Sequence, residues 1–174
     1  MRLRCPSSTY KGVGRLQNYS WIINERGYAN VVLSNASPSS SPPEEVYGLI
    51  YSLEPSDERS LDRNEGVPHV YGKKMINIQY WPATSDEPVD ISSKPERKDM
   101  LVYVDYDRVK EAKPKQEYIH RMNEGIRDAL AAGVPKEYVA TILRKFIPPE
   151  PMNGKDAEGT KQMARKQAQS FEDE

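Results

Sequence analysis

Apolar and polar positions alternate with a period of two through the first two-thirds of the chain, which is typical of short β-strands that bury one face. Ile76, Ile78 and Tyr80, for example, share one face of such a strand. A hairpin turn is predicted at 25–28, because Gly27 can adopt a positive φ. Strands are predicted in six runs rich in Val, Ile, Tyr or Trp: 11–16, 20–24, 29–33, 46–53, 71–81 and 100–105. Runs at this spacing predict a small barrel or a strongly curled sheet.

A helical period appears only after these strands. Apolar residues recur at three- and four-residue spacing from Ile119 to Leu130, and Gly133 supplies a helix stop. Pro135 opens a second helix over 136–147, which Pro148 and Pro149 end. The chain is therefore predicted to be an α+β protein: a small mixed β-barrel or curled sheet with a few flanking helices, two of them C-terminal.

Two polar segments interrupt the strands, and a third ends the chain. Segment 37–43 is rich in Ser and Pro, so it cannot lie inside a sheet. Segment 82–99 is about 18 residues long, and disorder or a species-specific insertion is favoured there over a functional loop. From Glu150 onward the chain is too polar to offset its conformational entropy. We expect one folded domain over 1–149 and a disordered tail or frayed helix over 150–174.

Composition narrows the class of partner. The chain has 25 basic and 26 acidic residues and a formal net charge of −1, which creates no field that would attract nucleic acid or an anionic membrane. The single Cys5 can form neither an internal disulfide nor a thiolate metal site, which suits a reducing compartment. The sequence lacks a run of about 18 apolar residues and an apolar signal-peptide core. We therefore expect a cytoplasmic protein that binds a small neutral or zwitterionic molecule.

One acidic residue stands out by its position. Glu65 stands in the last turn of a predicted short helix, immediately before the glycine stop at Gly66. The C-terminus of a helix carries about half a negative charge and disfavours an anion, so a carboxylate there suits proton transfer. The alternative is a solvated surface glutamate, which is the commoner state of a lone Glu before a glycine cap.

The segments around Glu65 resemble the γ-glutamylcyclotransferase family, whose members carry a V-x-G-x-(V/I)-(Y/W)-x-(L/M) strand and then a helix ending L-D-x-x-E-G-V. Here these segments are Val46 to Leu53 and Leu61 to Val67. The resemblance extends over about residues 3–147. Its further matches are Gly14-Arg15-Leu16 with nearby Trp21, and Tyr118 with segment 133–138. The order and spacing of these parts are together fairly specific.

The resemblance has one departure. Family members begin with a Y-G-S-N-L strand and turn, whose backbone N–H groups hold the γ-glutamyl substrate, and the chain shows no such segment before Cys5. Either Met1 is an internal methionine of a longer product, or the start is truncated. If the turn is missing from the protein, the resemblance predicts low activity even with Glu65 in place.

The resemblance implies a cofactor-independent γ-glutamylcyclotransferase. Such an enzyme converts a γ-glutamyl amino acid, or a related γ-glutamyl amide, to 5-oxoproline and a free amine by intramolecular cyclisation. Glu65 would be the general acid and base, and substrate would contact Tyr71, Tyr103, Tyr118 and Gly66. Asp62, one turn before Glu65, is expected to be solvated or to cap the helix. A homodimer is compatible with these features.

Three other interpretations are weighed against this one. A catalytically compromised relative could use the barrel as a binding or interaction module. Metal binding is disfavoured because His69 and His120 are far apart and no metal-ligand spacing surrounds them; His120 is expected on the surface. A dinucleotide cofactor is disfavoured because segment 12–14 does not continue into the glycine-rich fingerprint. We therefore expect neither a metal nor a cofactor.

Overall fold

The computed structural model describes residues 5–34, 44–85 and 87–150. Within these ranges the strands are β1 (Thr9–Gln17), β2 (Tyr19–Ile23), β3 (Ala29–Leu33), β4 (Glu45–Ser52), β5 (Gly72–Pro82) and β6 (Glu96–Val104). Two helices are α1 (Pro55–Asn64) and α2 (Gln116–Ala131). The chain then forms α3 (Lys136–Tyr138), a π-helical segment (Val139–Leu143) and α4 (Arg144–Phe146), which we call together the C-terminal helix. All six predicted strands and both predicted C-terminal helices are present.

The strands form a curled antiparallel sheet of four strands in the order β4-β1-β5-β6, beside the two-stranded hairpin of β2 and β3. Among the described strands the barrel is not closed, so the curled sheet is the form of the prediction that is confirmed. A β-bulge lies between Tyr10 and Gly12, where β1 shifts its pairing with β4. Gly12 has a φ of +147°, and a Cβ there would lie 2.1 Å from the carbonyl oxygen of Trp81. Glycine thus allows two strands to approach closely where β1 bends.

The hydrophobic core draws on both sheets, α2 and the C-terminal helix. Val13 and Ile78 of the large sheet pack with Ile23 of the hairpin and Ile126 of α2. Edge-to-face aromatic pairs attach the C-terminal helix: Trp21 with Phe146 at 5.6 Å, and Tyr47 with Tyr138 at 5.2 Å. Each large apolar side chain buried in this way contributes about 1.5–3 kcal/mol. The core therefore fixes the hairpin and α2 relative to the large sheet.

The prediction that segment 82–99 is one long loop is wrong at its C-terminal end. Strand β6 begins at Glu96, so four charged residues that were expected in a loop belong to a strand. Hydrogen bonds attach the described part of the remaining loop to the rest of the fold. Ala83 N–H donates to the carbonyl of Lys11 (2.8 Å), Val89 N–H to that of Ala132 (3.0 Å), and the Trp81 indole to that of Ser93 (2.9 Å). Charged residues are common on exposed and edge strands, which explains why hydropathy did not reveal the start of β6.

Two other predictions fall largely outside the described residues. These are the Ser/Pro-rich segment 37–43 and the tail over 150–174, of which only Glu150 is described. Within the described part of the chain, the longest helix has 16 residues, and none is long and apolar enough to cross a bilayer.

Candidate functional site

Glu65 lies at the C-terminal cap of α1, as its sequence position predicted. The turn that follows is a Schellman motif: Gly66 N–H donates to the carbonyl of Arg63 (3.1 Å), and Val67 N–H donates to that of Asp62 (2.9 Å). Gly66 has a φ of +64°, and a Cβ there would lie 2.8 Å from the Cγ2 of Val70. The glycine therefore ends the helix at a fixed point and determines where Glu65 emerges.

Tyr71 lies next to this turn and is buried. Its hydroxyl donates a hydrogen bond to the carbonyl of Ala29, at 3.1 Å, and so touches the start of β3. Burial, with smaller contributions from the charge of Glu65 and from the neighbouring Tyr118, raises the pKa of Tyr71 to about 12. At neutral pH the hydroxyl is therefore protonated, and it lies within electrostatic reach of Glu65.

Tyr103, near the end of β6, is the second predicted tyrosine in this region. Its hydroxyl donates to Oδ1 of Asp62, at 2.7 Å. Burial raises the pKa of Tyr103, and the hydrogen bond to Asp62 and the charge of Glu65 act in the same direction. Like Tyr71, it presents a neutral hydroxyl near Glu65.

Asp62 holds Tyr103 in place and is not simply a solvated or capping residue. Its other oxygen, Oδ2, accepts a hydrogen bond from the Nζ of Lys73, at 3.0 Å, and Lys73 also pairs with Glu58. Burial alone would raise the pKa of Asp62, but the hydrogen bonds from Tyr103 and Lys73 outweigh it and keep that pKa below its ordinary value. We call Asp62, Tyr103, Lys73 and Glu58 the Asp62 network.

Tyr118 lies in the first turn of α2 and is buried. Tyr118 packs edge-to-face against Tyr28, with 5.2 Å between the ring centroids. The guanidinium of Arg121 lies 4.8 Å from the centroid of the Tyr118 ring. The helix N-terminus is docked on the hairpin turn, because Lys115 N–H donates to the carbonyl of Gly27, at 3.2 Å. The structure thus brings Glu65, Tyr71, Tyr103 and Tyr118 into one region.

A buried polar cluster that the sequence did not reveal ties the hairpin to the end of β6. The Asp105 carboxylate accepts from the Asn24 side chain (3.2 Å), from the Arg108 guanidinium (3.0 Å), and from the backbone N–H groups of Asp107 and Arg108. Asn30 forms a reciprocal pair with the backbone of Asp105, at 2.8 and 3.0 Å. We call this cluster the Asp105 junction. It fixes Asn30, whose neighbour Ala29 accepts the Tyr71 hydroxyl.

The prediction that His120 lies on the surface is wrong. His120 is buried, and its Nδ1 is hydrogen-bonded to the carboxylate of Glu150. The segment after the C-terminal helix crosses this flank of α2, where the Asn123 side chain donates to the carbonyl of Pro148, at 3.0 Å. A helical periodicity describes only one helix, so it could not show that another segment covers its polar flank.

A cavity of about 460 Å³ lies beside this region. Tyr103 and Leu61 line one part of it, and the rest is formed mainly by β1, β4, β5 and β6. The charged members of its wall are Lys11, Lys98 and Asp99. Within the described ranges no three His, Cys, Asp or Glu side chains are grouped to hold a metal ion. The residues gathered near Glu65 instead offer carboxylates and the protonated hydroxyl groups of Tyr71 and Tyr103.

Comparison with known proteins places this geometry in context. A model of the AIG2-like family matches residues 45–142, which include α1, Glu65 and Tyr71. A solved protein named gamma-glutamyl cyclotransferase is 23% identical, with a TM-score of 0.62 over 95% of this chain and 89% of that chain. The human uncharacterized protein loc79017 is 22% identical, with a TM-score of 0.63 over 94% of this chain and 89% of its own. No curated protein sequence matches significantly. The fold implied by the sequence resemblance is confirmed.

Proposed function

The chain belongs to the AIG2-like family, and from this premise we propose that it is a cyclotransferase that converts a γ-glutamyl amino acid, or a related γ-glutamyl amide, to 5-oxoproline and a free amine. The observation that carries the proposal is the position of Glu65. It lies at a fixed helix end and within electrostatic reach of Tyr71 and Tyr103, two protonated tyrosines.

The reaction needs proton transfer more than a covalent intermediate. The α-amino nitrogen of the substrate attacks its own γ-carbonyl carbon, the lactam C–N bond forms, and the bond to the departing amine breaks. Two protons leave the α-ammonium group, and two reach the departing amine. One carboxylate that alternates between base and acid can serve both transfers, and we assign this role to Glu65.

The remaining catalytic power comes from holding the substrate in an attack geometry. We assign this task to the hydroxyl groups of Tyr71, Tyr103 and Tyr118. Because Tyr71 and Tyr103 donate their single O–H groups within the protein, their hydroxyl oxygens would accept hydrogen bonds from the α-ammonium group of the substrate. Tyr71 is oriented by the carbonyl of Ala29, and Tyr103 is oriented by Asp62. The site would therefore not need to reorganise when substrate binds.

Gly66 has a more indirect role in this proposal than the sequence suggested. Its N–H donates to the carbonyl of Arg63, and its own carbonyl accepts from the N–H groups of His69 and Val70. Both backbone groups are thus engaged within the loop. We therefore assign Gly66 to shaping the turn that presents Glu65, instead of binding substrate directly.

Glu65→Gln tests the assignment, because the amide keeps the shape of the side chain but cannot shuttle protons. We expect 5-oxoproline release from a γ-glutamyl amino acid to fall by about 10²–10⁴-fold. Glu54→Gln is the matched control: Glu54 is exposed at the opposite end of the same helix and makes no capping hydrogen bond with its side chain. We expect this variant to keep its activity, and both variants to melt at the wild-type temperature.

The outcomes separate the enzyme from its alternative. A Glu65→Gln protein that retains more than about a tenth of the activity would contradict the acid and base role of Glu65. A correctly folded wild-type protein that releases no 5-oxoproline from any γ-glutamyl amino acid would favour a relative that uses the same fold as a binding module.

A further inference from the structure

Two opposite charges act on the hydroxyl of Tyr71. Glu65 is at the end of α1, and Arg26 is in the hairpin turn between β2 and β3, shortly before Ala29, whose carbonyl accepts the Tyr71 hydroxyl. Their opposite effects on the Tyr71 hydroxyl support this placement: the charge of Glu65 raises the pKa of Tyr71, and that of Arg26 lowers it. A negative and a positive group therefore lie near one buried hydroxyl.

The backbone of Arg26 is fixed although its side chain is exposed. Its N–H donates to Oδ1 of Asn24, at 3.0 Å, and Asn24 belongs to the Asp105 junction. The next residue, Gly27, has a φ of +85° and a carbonyl that accepts the Lys115 N–H. The turn that carries Arg26 is thus held on two sides, by the junction and by the start of α2.

The guanidinium of Arg26 lies over an aromatic ring of the hairpin. It lies 5.8 Å from the centre of the Tyr28 ring, and Tyr28 packs against Tyr118. No carboxylate of residues 5–34, 44–85 or 87–150 forms an ion pair with Arg26, whereas Arg15 and Arg108 each pair with an acidic side chain. A guanidinium that lies over a ring and has no acidic partner keeps its planar donors available for an anion.

We propose that Arg26 binds the α-carboxylate of the substrate's γ-glutamyl group while Glu65 faces the α-ammonium group on the same carbon atom. This inference rests on the proposed function. In the substrate the ammonium and carboxylate groups are bonded to the same carbon atom. Arg26 belongs to the turn that contacts the Tyr71 hydroxyl through Ala29, and Glu65 ends α1 nearby, so the two side chains offer charges complementary to that pair. An arginine can hold a carboxylate through two parallel hydrogen bonds, which fixes its orientation as well as its charge. Arg26 is therefore a specificity-determining residue for substrates with a free α-carboxylate.

The test compares two substrates that differ only at this group: γ-glutamyl anilide, and the same compound with its α-carboxylate converted to a carboxamide. Neither has a carboxylate on the departing amine, so only the glutamyl carboxylate is examined. We expect Arg26→Ala to raise KM for the anilide by about 10- to 100-fold, the effect of losing a charge-assisted hydrogen bond, and to leave KM for the carboxamide within twofold. Arg26→Lys should restore part of the loss, because it keeps the charge but not the planar fork.

Arg59→Ala is the matched control, since it removes the same charge from an exposed position on α1. We expect it to change neither KM. A second variant, Lys115→Ala, removes the other cation on the Tyr28 ring, whose Nζ lies 5.1 Å from the ring centre. If Lys115→Ala reproduces the selective loss and Arg26→Ala does not, the assignment to Arg26 is overturned.

The remaining outcomes also distinguish the inference from its premise. Equal increases in KM for both substrates would mean that Arg26 acts through the shape of the hairpin, and unchanged values would mean that the carboxylate binds elsewhere. Either result overturns the inference but leaves the proposed function intact. If wild-type protein releases aniline from neither compound and 5-oxoproline from no γ-glutamyl amino acid, the proposed function fails and the inference fails with it.

Discussion

Asp105 and Asp62 each help to hold one of the tyrosines near Glu65, but in opposite surroundings. Asp105 is fully buried and receives hydrogen bonds from two side chains and two backbone N–H groups. The side chain of Asp62 is 29% exposed, and it accepts from Tyr103 and Lys73. The Asp105 junction acts on Tyr71 through the hairpin, whereas the Asp62 network acts on Tyr103 directly.

This difference separates stability from positioning. A buried polar group that loses its partner cannot turn to water, so the free energy of unfolding falls by the full cost of an unsatisfied group. A partly exposed ion pair can be replaced by hydration, and such pairs contribute little to stability. Damage to the Asp105 junction should therefore weaken the whole fold, and damage to the Asp62 network should mainly change where Tyr103 points.

The largest effect is expected from Asp105→Ala. The substitution leaves the Asn24 side chain and two backbone N–H groups without their acceptor, so we expect the free energy of unfolding to fall by about 3 kcal/mol or more. Urea denaturation followed by circular dichroism measures the change. Asp105→Asn is the control that keeps the shape and one oxygen acceptor, and we expect it to lose distinctly less. A loss below about 1 kcal/mol for Asp105→Ala would show that the junction does not anchor the hairpin.

The contrast also marks the limit of what the sequence could predict. The strands and the end of α1 were predictable because their signals are local: an alternating pattern, or a glycine with a positive φ just after Glu65. The Asp105 junction joins positions 75 and 81 residues apart in the chain, so no local pattern encodes it. The same holds for His120 and Glu150, which are 30 residues apart.

The candidate site shows the same division. The positions of Glu65 and the three tyrosines followed from their order along the chain, because the family resemblance rests on that order. The function of Asp62 as the acceptor for Tyr103 did not, because its partner lies 41 residues later on another strand. Sequence reasoning therefore found the groups proposed for chemistry but missed the groups that orient them.

A smaller loss of stability is expected from Tyr71→Phe. The substitution removes the hydroxyl that donates to the carbonyl of Ala29, and one such hydrogen bond contributes about 1 kcal/mol. Tyr28→Phe is a suitable control, because the Tyr28 hydroxyl donates to Glu117 at a longer distance, 3.4 Å, and the residue is less buried. Urea denaturation of both variants should rank Tyr71→Phe as the more destabilised.

A double-mutant cycle then tests the link between Tyr71 and the junction. If Asp105 holds the hairpin on which the Tyr71 hydroxyl depends, the effects of Tyr71→Phe and Asp105→Asn should not add, with a coupling of about 0.5 kcal/mol or more. Strictly additive losses would mean that the two act independently, and the proposed path from Asp105 through Asn30 and Ala29 to Tyr71 would be wrong.

The smallest change in stability is expected for Asp62→Asn, and for this variant we expect a loss of activity with little loss of stability. At neutral pH we expect a loss below about 1 kcal/mol, as for partly exposed ion pairs. The folded-state pKa of Asp62 is lowered, so the stabilisation it gives is present above the unfolded pKa of about 3.9 and is lost as pH falls through the folded value. The stability difference between wild type and Asp62→Asn should therefore shrink below about pH 4.

Asp90→Asn is the control for Asp62→Asn, because it removes a carboxylate of similar electrostatics far from Tyr103. The pKa of Asp90 is also lowered, by hydrogen bonds from the side chain and backbone of Ser92, but Asp90 lies in the loop between β5 and β6. Both variants should therefore lose stability with the same sign of pH dependence, yet only Asp62→Asn should slow 5-oxoproline release at neutral pH. Because Tyr103 would then donate to a neutral amide oxygen in place of a carboxylate, its hydroxyl would be held less firmly. If Asp62→Asn retains full activity, the orientation of Tyr103 does not depend on the charge of Asp62, and the separation of stability from positioning fails at this network.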